Sequence, residues 1–69
     1  MIKIGEIVRV KEGLKIGNTY GGTMYNRYID SFKGKKLTVI KSFPGLIWAQ
    51  DTETTHETVI LALPMVVLG

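Results

Sequence analysis

The chain is predicted to be an all-β domain with one short helix in a long first connection, on three observations. Valines alternate with charged residues near the N-terminus. Apolar, β-branched runs then recur between turns marked by glycine and proline, and aromatics fall at helical spacing in only one stretch.

The first strand is expected over 4–11. Val8 and Val10 alternate with Arg9 and Lys11, with Ile4 and Glu6 continuing the inward register and Ile7 on the charged, outward face. Gly13 ends it. The connection 14–34 carries Gly17, Gly21 and Gly22 in the text KIGNTYGGT, which reads as turns. Within it, 24–33 is expected to be helical: Tyr25, Ile29 and Phe32, or Tyr25, Tyr28 and Phe32, share a face. Asn26 or Thr23 would cap it and Gly34 would stop it.

A second strand is expected over 35–43, closed by the Phe43-Pro44-Gly45 turn, and a third over 46–50 with Ile47 and Trp48 on opposite faces. The polar run 51–57 reads as a hairpin tip. Residues 58–62 return as a fourth strand, which Pro64 interrupts because proline cannot donate to a ladder. Residues 65–68 form a short last strand beside the first. Five short strands, a long early connection and a break before the last strand predict a small five-stranded SH3-like barrel spanning 1–69 as a single domain. Closing the sheet would remove most exposed edges.

Composition narrows the chemistry. The chain has 69 residues, 45% of them hydrophobic and 22% charged, a globular balance at a size where the core is small. It contains no cysteine, so neither a disulfide nor a thiolate zinc site can form. Lys3, Glu6 and Arg9 break the N-terminal apolar run, which leaves no signal-peptide core. The longest apolar run, 59–68, is about half of the ~20 residues a membrane helix needs. The expected location is the cytoplasm, with no membrane association.

Charge is unevenly placed. Net charge is +3, yet all nine lysines and arginines lie at or before Lys41, against three carboxylates there; from Ser42 onward only Asp51, Glu53 and Glu57 are charged. Such asymmetry can mark a basic face. Arg9, Lys11, Lys33, Lys35, Lys36 and Lys41 are the candidate nucleic-acid face, with aromatic side chains nearby for base stacking.

The reactive inventory is poor. His56 is the one histidine, and a single imidazole among flexible acids makes a weak transition-metal site. Ser31 and Ser42 lack a positioned base, and no spacing demands a carboxylate pair. The glycine loop 17–22 lacks the Gly-Lys-Ser/Thr ending of a phosphate loop. No catalytic residue, metal ligand or cofactor is expected, and the chain reads as a non-enzyme. The stretch VILALPMVVL is apolar on both faces where a barrel strand should alternate, so either the chain covers it or a partner does. Ile7, Leu61, Leu63, Met65 and Val67 are the candidate partner interface, which also allows a homodimer. Tyr20, Tyr25, Tyr28 and Trp48 are the candidate loop or groove residues.

The segment EIVRVKEGLKIGNTYGG, a short helix and then FKGKKLTVI resembles a group of small SH3-like proteins encoded by phages and prophages of Gram-positive bacteria. The matching residues are Gly5, Glu6, Val8, Val10, Leu14, Lys15, Gly17, Tyr20, Gly21, Gly22, Gly34, Lys35, Thr38 and Val39, within 4–40. Such proteins tend to carry a Trp-x-Trp strand before a Glu-Met-Leu segment. Here Val59-Ile60-Leu61 and Leu63-Pro64-Met65-Val66 stand in the second half instead. The resemblance implies a phage or prophage accessory protein working in the host cytoplasm. The expected function is a non-catalytic module that binds a protein partner; the alternative is a nucleic-acid-binding barrel.

Overall fold

The computed structural model describes residues 2–53 and 57–69. The elements run β1 (Ile7–Val10), β2 (Thr19–Tyr20), β3 (Thr23–Met24), α1 (Arg27–Asp30), β4 (Leu37–Phe43), β5 (Leu46–Asp51), β6 (Thr58–Ala62), a 3-10 turn at Leu63–Met65, and β7 (Val66–Leu68). β1 and β4 to β7 form one antiparallel sheet in the order β6-β5-β4-β1-β7, while β2 and β3 make a separate hairpin. The chain is therefore all-β with one short helix. Among the described residues no ladder joins β6 to β7, so hydrogen bonding leaves the sheet open.

Alternation builds β1 as expected, with Val8 and Val10 buried and Arg9 exposed. The strand starts at Ile7 rather than at residue 4. The Glu6 amide bonds the Lys3 carbonyl at 3.1 Å and closes a turn, which leaves Ile4 exposed instead of inward. β4 reaches β5 through Pro44 and Gly45, the latter at φ +85°, a conformation suited to the third residue of a proline-led turn. One extra residue, Ile40, bulges between the Val39↔Ala49 and Lys41↔Trp48 pairs.

The long connection is ordered. Tyr20 pairs with Thr23 across Gly21-Gly22, both at positive φ, which is the requirement of a tight hairpin turn. The hairpin tip sits on the far end of the sheet: a Cβ on Gly21 would lie 2.9 Å from Pro64 Cδ and 3.0 Å from Ala62 Cβ. α1 is a single turn, shorter than 24–33, and Asn26 caps it by accepting from the Ile29 amide at 2.9 Å. Past Asp30 the chain tightens: Phe32 and Lys33 donate to carbonyls three residues back, at Ile29 and Asp30. Tyr25, Ile29 and Phe32 are the buried face, and Tyr28 points out.

The apolar excess near the C-terminus is largely consumed inside the molecule. Val59 and Leu61 face inward from β6, Ala62 lies beneath the Gly21 tip, and the 3-10 turn swings Met65 to 0% exposure. The core joins Val8, Leu37, Val39, Ile47, Leu61 and Met65 with the loop residues Tyr25, Ile29 and Phe32.

Two expectations follow for urea denaturation. Met65→Lys should cost about 3 kcal/mol or more by burying an unpaired charge, whereas Val67→Glu, opposite Arg9, should stay within about 0.5 kcal/mol. Gly21→Ala should cost about 1 kcal/mol more than Gly22→Ala. Both pay for positive φ, but only the first meets Pro64 and Ala62, since nothing lies near a Cβ on Gly22.

Candidate binding surface

Of the five residues expected at a partner interface, the structure withdraws two. Leu61 and Met65 are completely buried, because Leu61 alternates inward with Val59 and the 3-10 turn redirects Met65. Leu63 is half-buried against the core, its amide bonded to the Gly45 carbonyl at 3.0 Å. Ile7 is half-buried, and Val67 is exposed on the edge strand β7.

The four aromatic candidates do not converge on one groove. Tyr25 is a core residue whose ring meets Tyr20 edge-on at 6.3 Å, and its hydroxyl donates to Asp30 Oδ1 at 2.7 Å. Tyr20 is half-buried, and its hydroxyl accepts from the Lys15 amide at 3.1 Å; that bond lowers its pKa. Tyr28 packs edge-on against Phe32 at 5.2 Å and donates to the Thr58 carbonyl at the free edge of β6. Trp48 stands apart from these three on the outward face of β5, half-buried.

The six candidate cations divide as well. Lys33 pairs with Asp30 at 3.6 Å. Lys35 pairs with Asp51 at 3.7 Å and lies 5.8 Å from the Phe32 ring centre. The hollow lined by Gly34–Lys36 and Asp51–Glu53 is thus spanned by the molecule's own ion pair. Arg9 lies on the outward face of β1 opposite Val67, and Lys11 and Lys36 are exposed beyond the strand ends. Lys41 is at the other end of β4, its ammonium 4.6 Å from the Trp48 ring centre.

One continuous surface emerges on the outward side of β4, β5 and β6. Register sets Lys41 opposite Trp48 and Trp48 opposite Ile60, with Phe43 opposite Leu46 in the next row. The Phe43 and Trp48 rings are tilted together at 6.0 Å. Phe43 is 44% and Ile60 46% exposed, which is high for large apolar side chains. The only carboxylate in these strands, Asp51, points the other way: it is buried and accepts from the Glu53 amide at 2.9 Å. Sequence reasoning missed Phe43, which it assigned to a turn, and Ile60, which it left among the strand apolars. Counting back from Pro44-Gly45 gives Lys41 opposite Trp48, so that contact had a signal. Ile60 had none, since the 51–57 connection does not set its own register.

Among the described residues no group of three or more histidines or carboxylates is placed to hold a metal ion, and His56 lies outside the described residues. Among the described residues no helix is long and apolar enough to cross a membrane. No protein-family model, curated protein or solved structure matches the chain.

The Tyr25 hydroxyl provides a test of how the long connection is fixed. Burial first, then its bond to Asp30 and that group's negative charge, push its pKa from 10.0 up to about 12. Between those values the unfolded chain releases a proton that the folded chain keeps. The group's contribution to stability is therefore complete below pH 10 and is lost as pH rises through 12. Urea midpoints should fall across that window in the wild type and fall less in Tyr25→Phe; equal falls would mean that Tyr25 does not carry this linkage.

Proposed function

We propose that this chain is a small non-catalytic binding module that holds a protein partner against the outward face of β4, β5 and β6. The observation carrying the reading is the cross-strand row Lys41–Trp48–Ile60 beside exposed Phe43, an apolar and aromatic surface on strands whose one carboxylate, Asp51, is buried. Aromatic anchors of this kind dominate protein recognition. The strand order, the hairpin-bearing first connection and the 3-10 turn before the last strand support an SH3-like arrangement. The resemblance over 4–40 supports a phage or prophage accessory role in the host cytoplasm. Fold alone assigns no partner, so the weight rests on the surface.

A protein fits this surface better than a nucleic acid. Binding a nucleic-acid strand without sequence preference needs a cationic track with open aromatic faces along it. Here Lys33 and Lys35 are paired internally, Lys41 lies over the indole that would stack a base, and Tyr20 and Tyr28 are hydrogen-bonded elsewhere.

Ile60→Ser and Phe43→Ser should leave the unfolding free energy in urea within about 1 kcal/mol of wild type, because both side chains are exposed. Each should abolish retention of a host or phage protein that the immobilised wild type retains. A partner retained equally by both variants would place the contact elsewhere. Filter binding to DNA or RNA at about 50 mM salt, with affinity falling steeply as salt rises, would replace this reading with the nucleic-acid one.

A further inference from the structure

We infer that the partner segment on this face is acidic, a carboxylate set beside an apolar side chain, with Lys41 as the residue that selects it. The inference rests on the outward face being the binding surface and goes further by naming the chemistry the face accepts.

Lys41 differs from the other strand-borne charges. Asp51 is buried and paired with Lys35. Arg9 lies on β1, away from the aromatic row. Lys41 has its ammonium over the Trp48 ring at 4.6 Å; register sets Phe43 two residues on along the same face and Ile60 beyond Trp48 on the next strand. Among the described residues it has no carboxylate within salt-bridge distance. The ring attracts the ammonium but does not neutralise it. The result is a full positive charge, held in place, on an apolar surround that contributes no counter-ion.

That combination is selective. A carboxylate reaching Lys41 meets a cation already ordered by the indole, so less side-chain freedom is lost on pairing. Apolar neighbours that exclude water strengthen the attraction relative to the same pair in open solvent. A basic segment would bring like charge against Lys41, which has no carboxylate partner among the described residues, and this is the repulsive half of specificity. A neutral apolar segment would gain the Phe43 and Ile60 contacts alone. A nucleic-acid strand needs repeated phosphate contacts, and the next cation along β4 is Lys36, about 16 Å away at strand rise, with uncharged Thr38 and Ile40 between them.

The test is fluorescence anisotropy with labelled probes: a short peptide of Glu-Glu-Leu repeats, the same peptide with Ser or with Lys in place of Glu, and an oligothymidylate of matched length. Wild type, Lys41→Glu and Ile60→Ser are compared after unfolding curves confirm that each is folded. The acidic peptide should bind wild type at least about tenfold more tightly than the Ser peptide. Lys41→Glu should reverse the order, favouring the Lys peptide, and Ile60→Ser should weaken the Glu and Ser peptides together. Equal binding of the Glu and Ser peptides, both weakened by Ile60→Ser, would overturn the charge selection and keep the face. Binding of no peptide, or peptide binding that neither variant changes, would overturn both. Oligothymidylate binding lost in Lys41→Glu would assign the cation to phosphate and end the proposal.

Discussion

A five-stranded sheet with one apolar side cannot stay in water unless something covers that side, and in this chain the first connection does so. Tyr25, Ile29 and Phe32 come from one short stretch between β3 and β4, and all three are buried against residues of β1, β4, β5 and β6. The stretch is held at several points. The Tyr25 amide donates to Asn18, its carbonyl accepts from Gly17, its hydroxyl reaches Asp30, and Asn26 caps the turn that follows. In a domain this small the covering segment contributes much of the core. The helical turn is too short to persist alone, so packing rather than propensity holds it.

Because the cover is internal, the two sides of the sheet have different fates. The inner side is spent on stability. At the C-terminal end, the Gly21 tip shelters Ala62, and the 3-10 turn draws Met65 into the same core. What remains for recognition is the outer side, where Phe43, Trp48 and Ile60 gather in the hairpin formed by β4 and β5 and on the strand beside it, apart from exposed Val67 on β7. The two-residue Pro44-Gly45 turn fixes the β4–β5 register and the β5–β6 ladder extends it, so the side chains stand in fixed rows rather than as scattered surface residues.

Much of the fold could be read from the residues. Alternation around Val8 and Val10, the Pro44-Gly45 turn, the β6 span, the Pro64 break and the last strand beside the first all follow from local patterns, and local patterns decided them. The two-residue hairpin at Gly21-Gly22 was visible only as turn chemistry, since β2 and β3 are too short to show a period. The helix was read too long because Asp30 to Lys33 keeps the spacing of a helix while bonding at the tighter interval of a turn. The binding surface was less legible. An apolar run cannot reveal from within itself which members face inward, and a proline-led 3-10 turn reverses the assignment part way along. Leu61 and Met65 therefore looked like surface and are core, whereas Ile60 between its inward neighbours proved to be surface.

The irregularity at Ile40 decides more than the shape of one strand. Counted back from the Pro44-Gly45 turn without it, Lys41 would still face Trp48, but Ile40 would fall opposite Ala49 and Val39 opposite Gln50 on the outward side. The inserted residue shifts the alternation by one, so Leu37 and Val39 face the core while Lys41 keeps its ammonium over the indole and Ser42 bonds the Ile2 carbonyl at 2.7 Å. The inward set of β4 is thus written in the number of residues as well as in their identity. Losing Ile40 itself would remove the bulge and leave the Val39↔Ala49 and Lys41↔Trp48 pairs in place, a regular strand with the same inward and outward sets. In descendants of this sequence, a deletion in β4 should therefore be tolerated at Ile40 before any other position in the strand.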